Sequence, residues 1–149
     1  IRLYSQHPSS HTSKYKDIDY SKYIFLQDEL KKFNGEGFNV VFRINTMNKL
    51  IEHEARYKKC NSVPFFWAYI MSDGSLYGCS AFLSDERFNY GNIHEKTFRE
   101  IWEGEKRIKN IEYIQNGLCI ENCRVNCRMD EINRYLWELV NPSEHVNFI

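Results

Sequence analysis

The cysteines constrain this chain more than any other feature. Cys119, Cys123 and Cys127 follow one another as Cys-x3-Cys-x3-Cys, and Cys60 and Cys79 flank the turn sequence Ser72-Asp73-Gly74-Ser75. An odd total of five, with no secretory signal pattern, is poor material for a disulfide framework. A reducing cytosol keeps such residues as thiols, and thiolates are soft, strongly donating ligands for zinc or an iron–sulfur cluster. A four-iron cluster is several ångströms across and takes thiolates from separated loops, as a hairpin plus a distant turn would offer. A tetrahedral zinc site more often uses two tight pairs, and Cys60 and Cys79 are not one.

Composition narrows the remaining classes. A chain of 149 residues suits one compact domain or two very small ones sharing an interface. Lys plus Arg and Asp plus Glu both total 20, so the net charge is zero and no basic field exists to collect nucleic acid or a membrane surface. No apolar run is long enough to span a bilayer. Ile1-Arg2-Leu3-Tyr4 reads as the middle of a strand, and so as part of a longer protein.

Along the chain, residues 1–6 predict a strand ended by His7-Pro8. Asp19 or Ser21 caps a predicted helix reaching about Phe33, and Asn34-Gly35-Glu36-Gly37 stops it. Phe38 to Ile44 reads as a buried strand, and Thr46 as the cap of a helix carrying Met47, Leu50 and Ile51. That alternation is the one expected of a parallel sheet or barrel edge. From Cys60 the character changes. Phe65–Met71 and Leu76–Ser80 around Asp73-Gly74 predict a hairpin, its first strand covered on both faces. Phe98, Ile101 and Trp102 stripe a short helix, Gly104 breaks it from one carrying Ile108, Ile111 and Ile114, and Gly117 ends that one. Ile132, Tyr135, Leu136 and Leu139 give the last helix an apolar face before Pro142.

Cys60-x13-Gly74-x4-Cys79, the hairpin Ile70–Cys79, and Gly91-Asn92-Ile93 followed by Phe98-Arg99-Glu100-Ile101-Trp102 together resemble the SPASM domain of radical SAM enzymes. The resemblance covers residues 60 to about 128. It implies an α+β chain: residues 1–58 as the last β-α-β-α units of a partial radical SAM barrel, and residues 59–149 as a small hairpin-plus-helices SPASM/twitch domain. A full SPASM domain binds two auxiliary [4Fe–4S] clusters through a Cx2Cx5Cx3C group. Five cysteines cannot ligate two cubanes, which implies the one-cluster twitch form. The implied ligands are Cys60, Cys79, Cys123 and Cys127, with Cys119 as the alternative. The Cx3Cx2C motif of the SAM-cleaving cluster is absent, so SAM chemistry is expected in an N-terminal barrel portion.

The implied activity is cytoplasmic: hydrogen abstraction from a peptide or small sugar-like molecule, with a flavodoxin or ferredoxin as electron donor. Gln6, His7 and Arg43 fall at expected strand ends, where a barrel enzyme would contact SAM or substrate; loop hydrogen bonds and an ion pair explain them more simply. His53, His94 and His145 read as ordinary surface or helix histidines, and Trp67 and Trp102 as core. Two other classes stay open: a stand-alone zinc- or cluster-stabilised binding module without catalysis, and a ferredoxin-like electron carrier.

Overall fold

A computed structural model describes residues 12–14, 17–52 and 55–144. The chain divides into two compact units, Ile1–Ala55 with Cys123–Cys127 and Arg56–Asn122 with Arg128–Ile149. The predicted strand over residues 1–6, with Gln6 and His7, lies outside the described residues.

In the first unit, Asp19 caps a 3-10 turn, Tyr20–Tyr23, by accepting from the Ser21 N–H at 3.1 Å. Helix α1, Leu26–Lys31, follows, so the single helix predicted to Phe33 is two short pieces. The predicted stop holds: Gly35 and Phe38 form an isolated bridge, and Gly37 sits at φ 76°, a left-handed conformation suited to glycine. Phe38–Ile44 is not a strand. A strand is held by its ladder, and the described residues of this unit offer that run no partner beyond Gly35. Val40 N–H donates instead to the Asn34 side chain at 2.7 Å, and Phe38 and Val41 are exposed. Helix α2, Ile44–Glu52, starts ahead of Thr46, which lies inside it rather than capping it. Met47 and Leu50 are buried as the spacing predicts, whereas Ile51 is exposed.

The second unit is built on a three-stranded antiparallel sheet of order β1-β2-β3, with β1 Tyr69–Ile70, β2 Ser75–Tyr77 and β3 Asn89–Asn92. The turn between β1 and β2 is at Asp73-Gly74, as predicted. Gly74 has φ 83°, and Asp73 accepts from the Ser75 N–H at 3.0 Å. The hairpin is shorter than its apolar run, because Pro64 at a helix start turns Val63–Phe66 into α3. Strand β1 is also an exposed edge, not a covered strand: among the described residues it pairs only with β2, and Tyr69 and Ile70 face solvent. Strand β3 was not foreseen, since Gly91-Asn92 reads as a loop; Gly91 takes φ 146° within it.

Helix α4, Phe98–Trp102, opens with a capping box in which Thr97 and Glu100 each bond the other's backbone N–H. Its Ile101 packs with Leu76 and Tyr90 in the core, and Trp102 packs against that cluster. Helix α5, Glu105–Asn116, begins after Gly104 and ends at Gly117. It turns Asn110 and Ile114 inward, while Ile108 of the predicted stripe is exposed. Helix α6, Asp130–Val140, shows the larger departure. Its buried residues are Asp130 and Asn133, and Ile132, Tyr135 and Leu139 of the predicted inner face are exposed. Periodicity finds the two faces of a helix; the polar one turns inward here because it carries hydrogen bonds to the Cys60 loop. Among the described residues no helix is long and apolar enough to cross a membrane.

Candidate metal centre

The hairpin delivers Cys79. After β2, Gly78 N–H donates to the Phe88 carbonyl at 2.9 Å, which carries the pairing with the β3 side past the irregularity at Leu76/Tyr77. Cys79 then leaves the sheet in a turn closed by Phe82 N–H on the Cys79 carbonyl at 3.2 Å. Ala81 N–H donates to Cys79 Sγ at 3.4 Å. The sulfur thus takes the place that a carboxylate oxygen takes in the Asp73 and Asp85 turns, where the residue two positions on is again the donor.

Cys60 is buried just ahead of α3. Its loop is pinned from two helices. From α5, Gln115 Nε2 donates to Asn61 Oδ1 at 3.0 Å and reaches the Cys60 carbonyl at 3.5 Å. From α6, Asn133 Oδ1 accepts from the N–H groups of Asn61 and Ser62, and Asn133 Nδ2 donates to Cys60 Sγ at 3.5 Å. The Ser62 hydroxyl lies 3.9 Å from the same sulfur.

Tyr90 lies against the backbone that leads into Cys79. It is buried on β3, and its hydroxyl donates to Asn110 Oδ1 at 2.7 Å, while Asn110 Nδ2 donates to the Arg87 carbonyl at 2.7 Å. Burial pushes the Tyr90 phenol well above its ordinary pKa. Arg107 pulls it down, and charge on Cys79 and on Cys60 raises it further. That hydroxyl stays neutral.

The other cysteines are placed differently. Cys119 is exposed, beyond the Gly117 cap of α5 and beside buried Ile120. Cys123 and Cys127 are half-buried and belong with the first unit. Between them Asn126 takes φ 56°, the left-handed conformation that asparagine tolerates better than most residues. Among the described residues, no three His, Cys, Asp or Glu side chains lie close enough to hold one metal ion. Arg43 is exposed, and its carbonyl accepts from Thr46 and Met47 at the start of α2.

Sequence reasoning missed Asn133 and the Tyr90–Asn110 pair. Tyr90 stands one position before the Gly91-Asn92-Ile93 segment, a signal of a kind; Asn133 had none, as a polar residue between Ile132 and Arg134 reads as solvated surface. Cys60 and Cys79 are thiols, the donor type an iron–sulfur centre takes, and each sulfur already receives an N–H. No curated protein and no solved structure gives a significant match to the chain. Residues 60–128, from Cys60 to just past Cys127, do match a family model, that of SPASM, an iron–sulfur cluster-binding domain.

Proposed function

We propose that this chain is the auxiliary [4Fe–4S] portion of a radical SAM enzyme, working on a peptide or a small, sugar-like molecule in the cytoplasm. One observation carries the reading: the span matched by SPASM runs from Cys60 through Cys79 to just past Cys127, and within it the sulfurs of Cys60 and Cys79 each receive an N–H. Cys60, Cys79, Cys123 and Cys127 would hold the cluster, with Cys119 as the alternative ligand. When bound, such a cluster supplies a one-electron relay whose potential is set by its ligands, burial and hydrogen bonds to sulfur.

The chain's own residues prepare the site. The Asn133 and Gln115 amides fix the Cys60 loop, and the sheet fixes Cys79. Tyr90 packs with Leu76 and Ile101 in the core of the sheet and adds no charge there. In this reading SAM is bound and cleaved in an N-terminal barrel portion, to which residues 1–58 belong as its last units. Gln6 and His7 would be the candidates for contact with SAM or substrate there, Arg43 standing at the start of α2 rather than at a strand end, and a flavodoxin or ferredoxin would deliver electrons.

The test is anaerobic purification from iron-replete cells, with iron, sulfide and zinc analysis and a UV–visible spectrum. About four irons and four sulfides per chain, with thiolate-to-iron absorption bleached on reduction, are expected. Stoichiometric zinc without iron would replace this reading with that of a zinc-stabilised binding module.

A further inference from the structure

Asn133 lies in the first turn of α6 and is only 1% exposed. Its Oδ1 accepts from Asn61 N–H at 2.8 Å and from Ser62 N–H at 3.0 Å. Two donors on one atom fix the orientation of the amide, because the reverse would set an NH2 group against two N–H groups. The amide nitrogen is thereby turned to the other side, where it donates to Cys60 Sγ at 3.5 Å. A buried cysteine that served only as a small hydrophobe would be packed well by an apolar neighbour. A buried N–H is costly to leave without an acceptor, and a neutral thiol is a weak one. A sulfur carrying negative charge is a far better partner for it, since hydrogen bonds to ionised acceptors are about twice as strong.

We infer that Asn133 is the positioning residue for the Cys60 ligand, holding its sulfur by an N–H···S hydrogen bond that raises the reduction potential of the bound cluster. The inference rests on the iron–sulfur reading above. Its physical basis is that a donor aimed at sulfur favours the more negative, reduced state over the oxidised one.

The experiment compares the full chain with its Asn133→Asp and Asn133→Ala variants, each reconstituted anaerobically with iron and sulfide. Asp keeps an acceptor for the Asn61 and Ser62 N–H groups but has no amide donor; Ala lacks both and adds no charge. The readouts are iron and sulfide content, melting of the metal-free chain, an EPR-monitored redox titration, and electron–nuclear double resonance of exchangeable protons near the reduced cluster. The metal-free Asp variant is expected to melt close to wild type. In both variants the reduced-to-oxidised ratio at a fixed ambient potential is expected to drop on the order of tenfold, about 59 mV for a one-electron couple. One exchangeable-proton coupling of the wild-type cluster is expected to vanish. That coupling separates the lost hydrogen bond from the added charge of Asp, and it decides the matter from the Asp variant alone if the Ala chain does not fold. Unchanged potentials and couplings overturn the inference and leave the cluster reading standing. A wild-type chain that takes up no iron and sulfide overturns both, before any variant is compared.

Discussion

The hydroxyl of Tyr90 rests so closely on the α-carbon of Gly78 that a β-carbon added there would collide with it. Gly78 precedes Cys79, so the approach that places a buried phenol against the backbone leading into Cys79 requires a residue without a side chain. Gly78→Ala is expected to cost about 1–3 kcal/mol, the range for overpacking a filled core. It should also lower cluster occupancy, because relief of the clash displaces either Tyr90 or the backbone leading into Cys79. Chemical denaturation of the metal-free chain and iron content after reconstitution check the two effects. A variant with wild-type stability would mean that Tyr90 swings away freely.

Tyr90→Phe tests the polar side of the same contact. The ring is kept, but Asn110 Oδ1 loses its donor in a buried setting, at a cost of about 1–3 kcal/mol. Replacing Asn110 by Leu in the same chain would not restore stability, since the Arg87 carbonyl would then lose its Asn110 donor. A double-mutant cycle by urea unfolding measures the coupling between the pair.

Cysteine substitutions separate ligands from bystanders. Cys79→Ser is expected to abolish cluster binding, and Cys119→Ser to leave it intact, in keeping with the exposure of that residue. Iron and sulfide analysis of the two variants reads out directly. Loss of the cluster from Cys119→Ser would move Cys119 into the ligand set in place of Cys123 or Cys127.

Acid is expected to weaken the fold in a defined direction. The Thr97 hydroxyl holds the Glu100 carboxyl below its usual pKa of 4.5. The Arg87 side chain and the Ser75 N–H do the same for Asp85 and Asp73, whose usual value is 3.8. Each group binds its proton less readily in the folded chain, so the unfolded chain takes up more protons as the pH falls. The stability these groups contribute is thus complete above their ordinary pKa values and lost as the pH drops through the lower folded ones. Urea unfolding of the metal-free chain should therefore hold steady near neutrality and decline below about pH 5. In Glu100→Gln the decline should be shallower; an identical curve would remove Glu100 from the explanation. Thr97→Ala, which deletes the cap itself, is expected to cost about 1 kcal/mol at neutral pH.

What was legible in the sequence was local chemistry. Asp73-Gly74 specifies its turn by backbone conformation, whereas Gly104 and Gly117 bound α5 by close approach, a side chain at the first meeting the Glu100 carbonyl and one at the second the Tyr113 ring. The spacing of Cys60, Gly74 and Cys79 pointed to the region that the family match covers. What failed depended on partners distant in sequence. Phe38–Ile44 has the composition of a strand, but a strand also needs a neighbour to pair with, and composition does not supply one. Ile132, Tyr135 and Leu139 mark an apolar stripe correctly, yet the stripe faces outward because the inner face of α6 is taken by Asp130 and Asn133. Asn133 was illegible for the same reason: its role lies in three atoms of Cys60, Asn61 and Ser62 that no local pattern associates with it.

The bond from Asn61 N–H to Asn133 spans 72 positions of sequence. During synthesis the segment bearing Cys60 leaves the ribosome long before the asparagine that secures it. Contacts at such separation carry a large loop-closure cost and are late to form. The nascent hairpin can pair its strands while Cys60 still waits, its sulfur open to oxidants or to stray metal. Whatever binds at Cys60 meets the finished loop only after the first turn of α6 has been made.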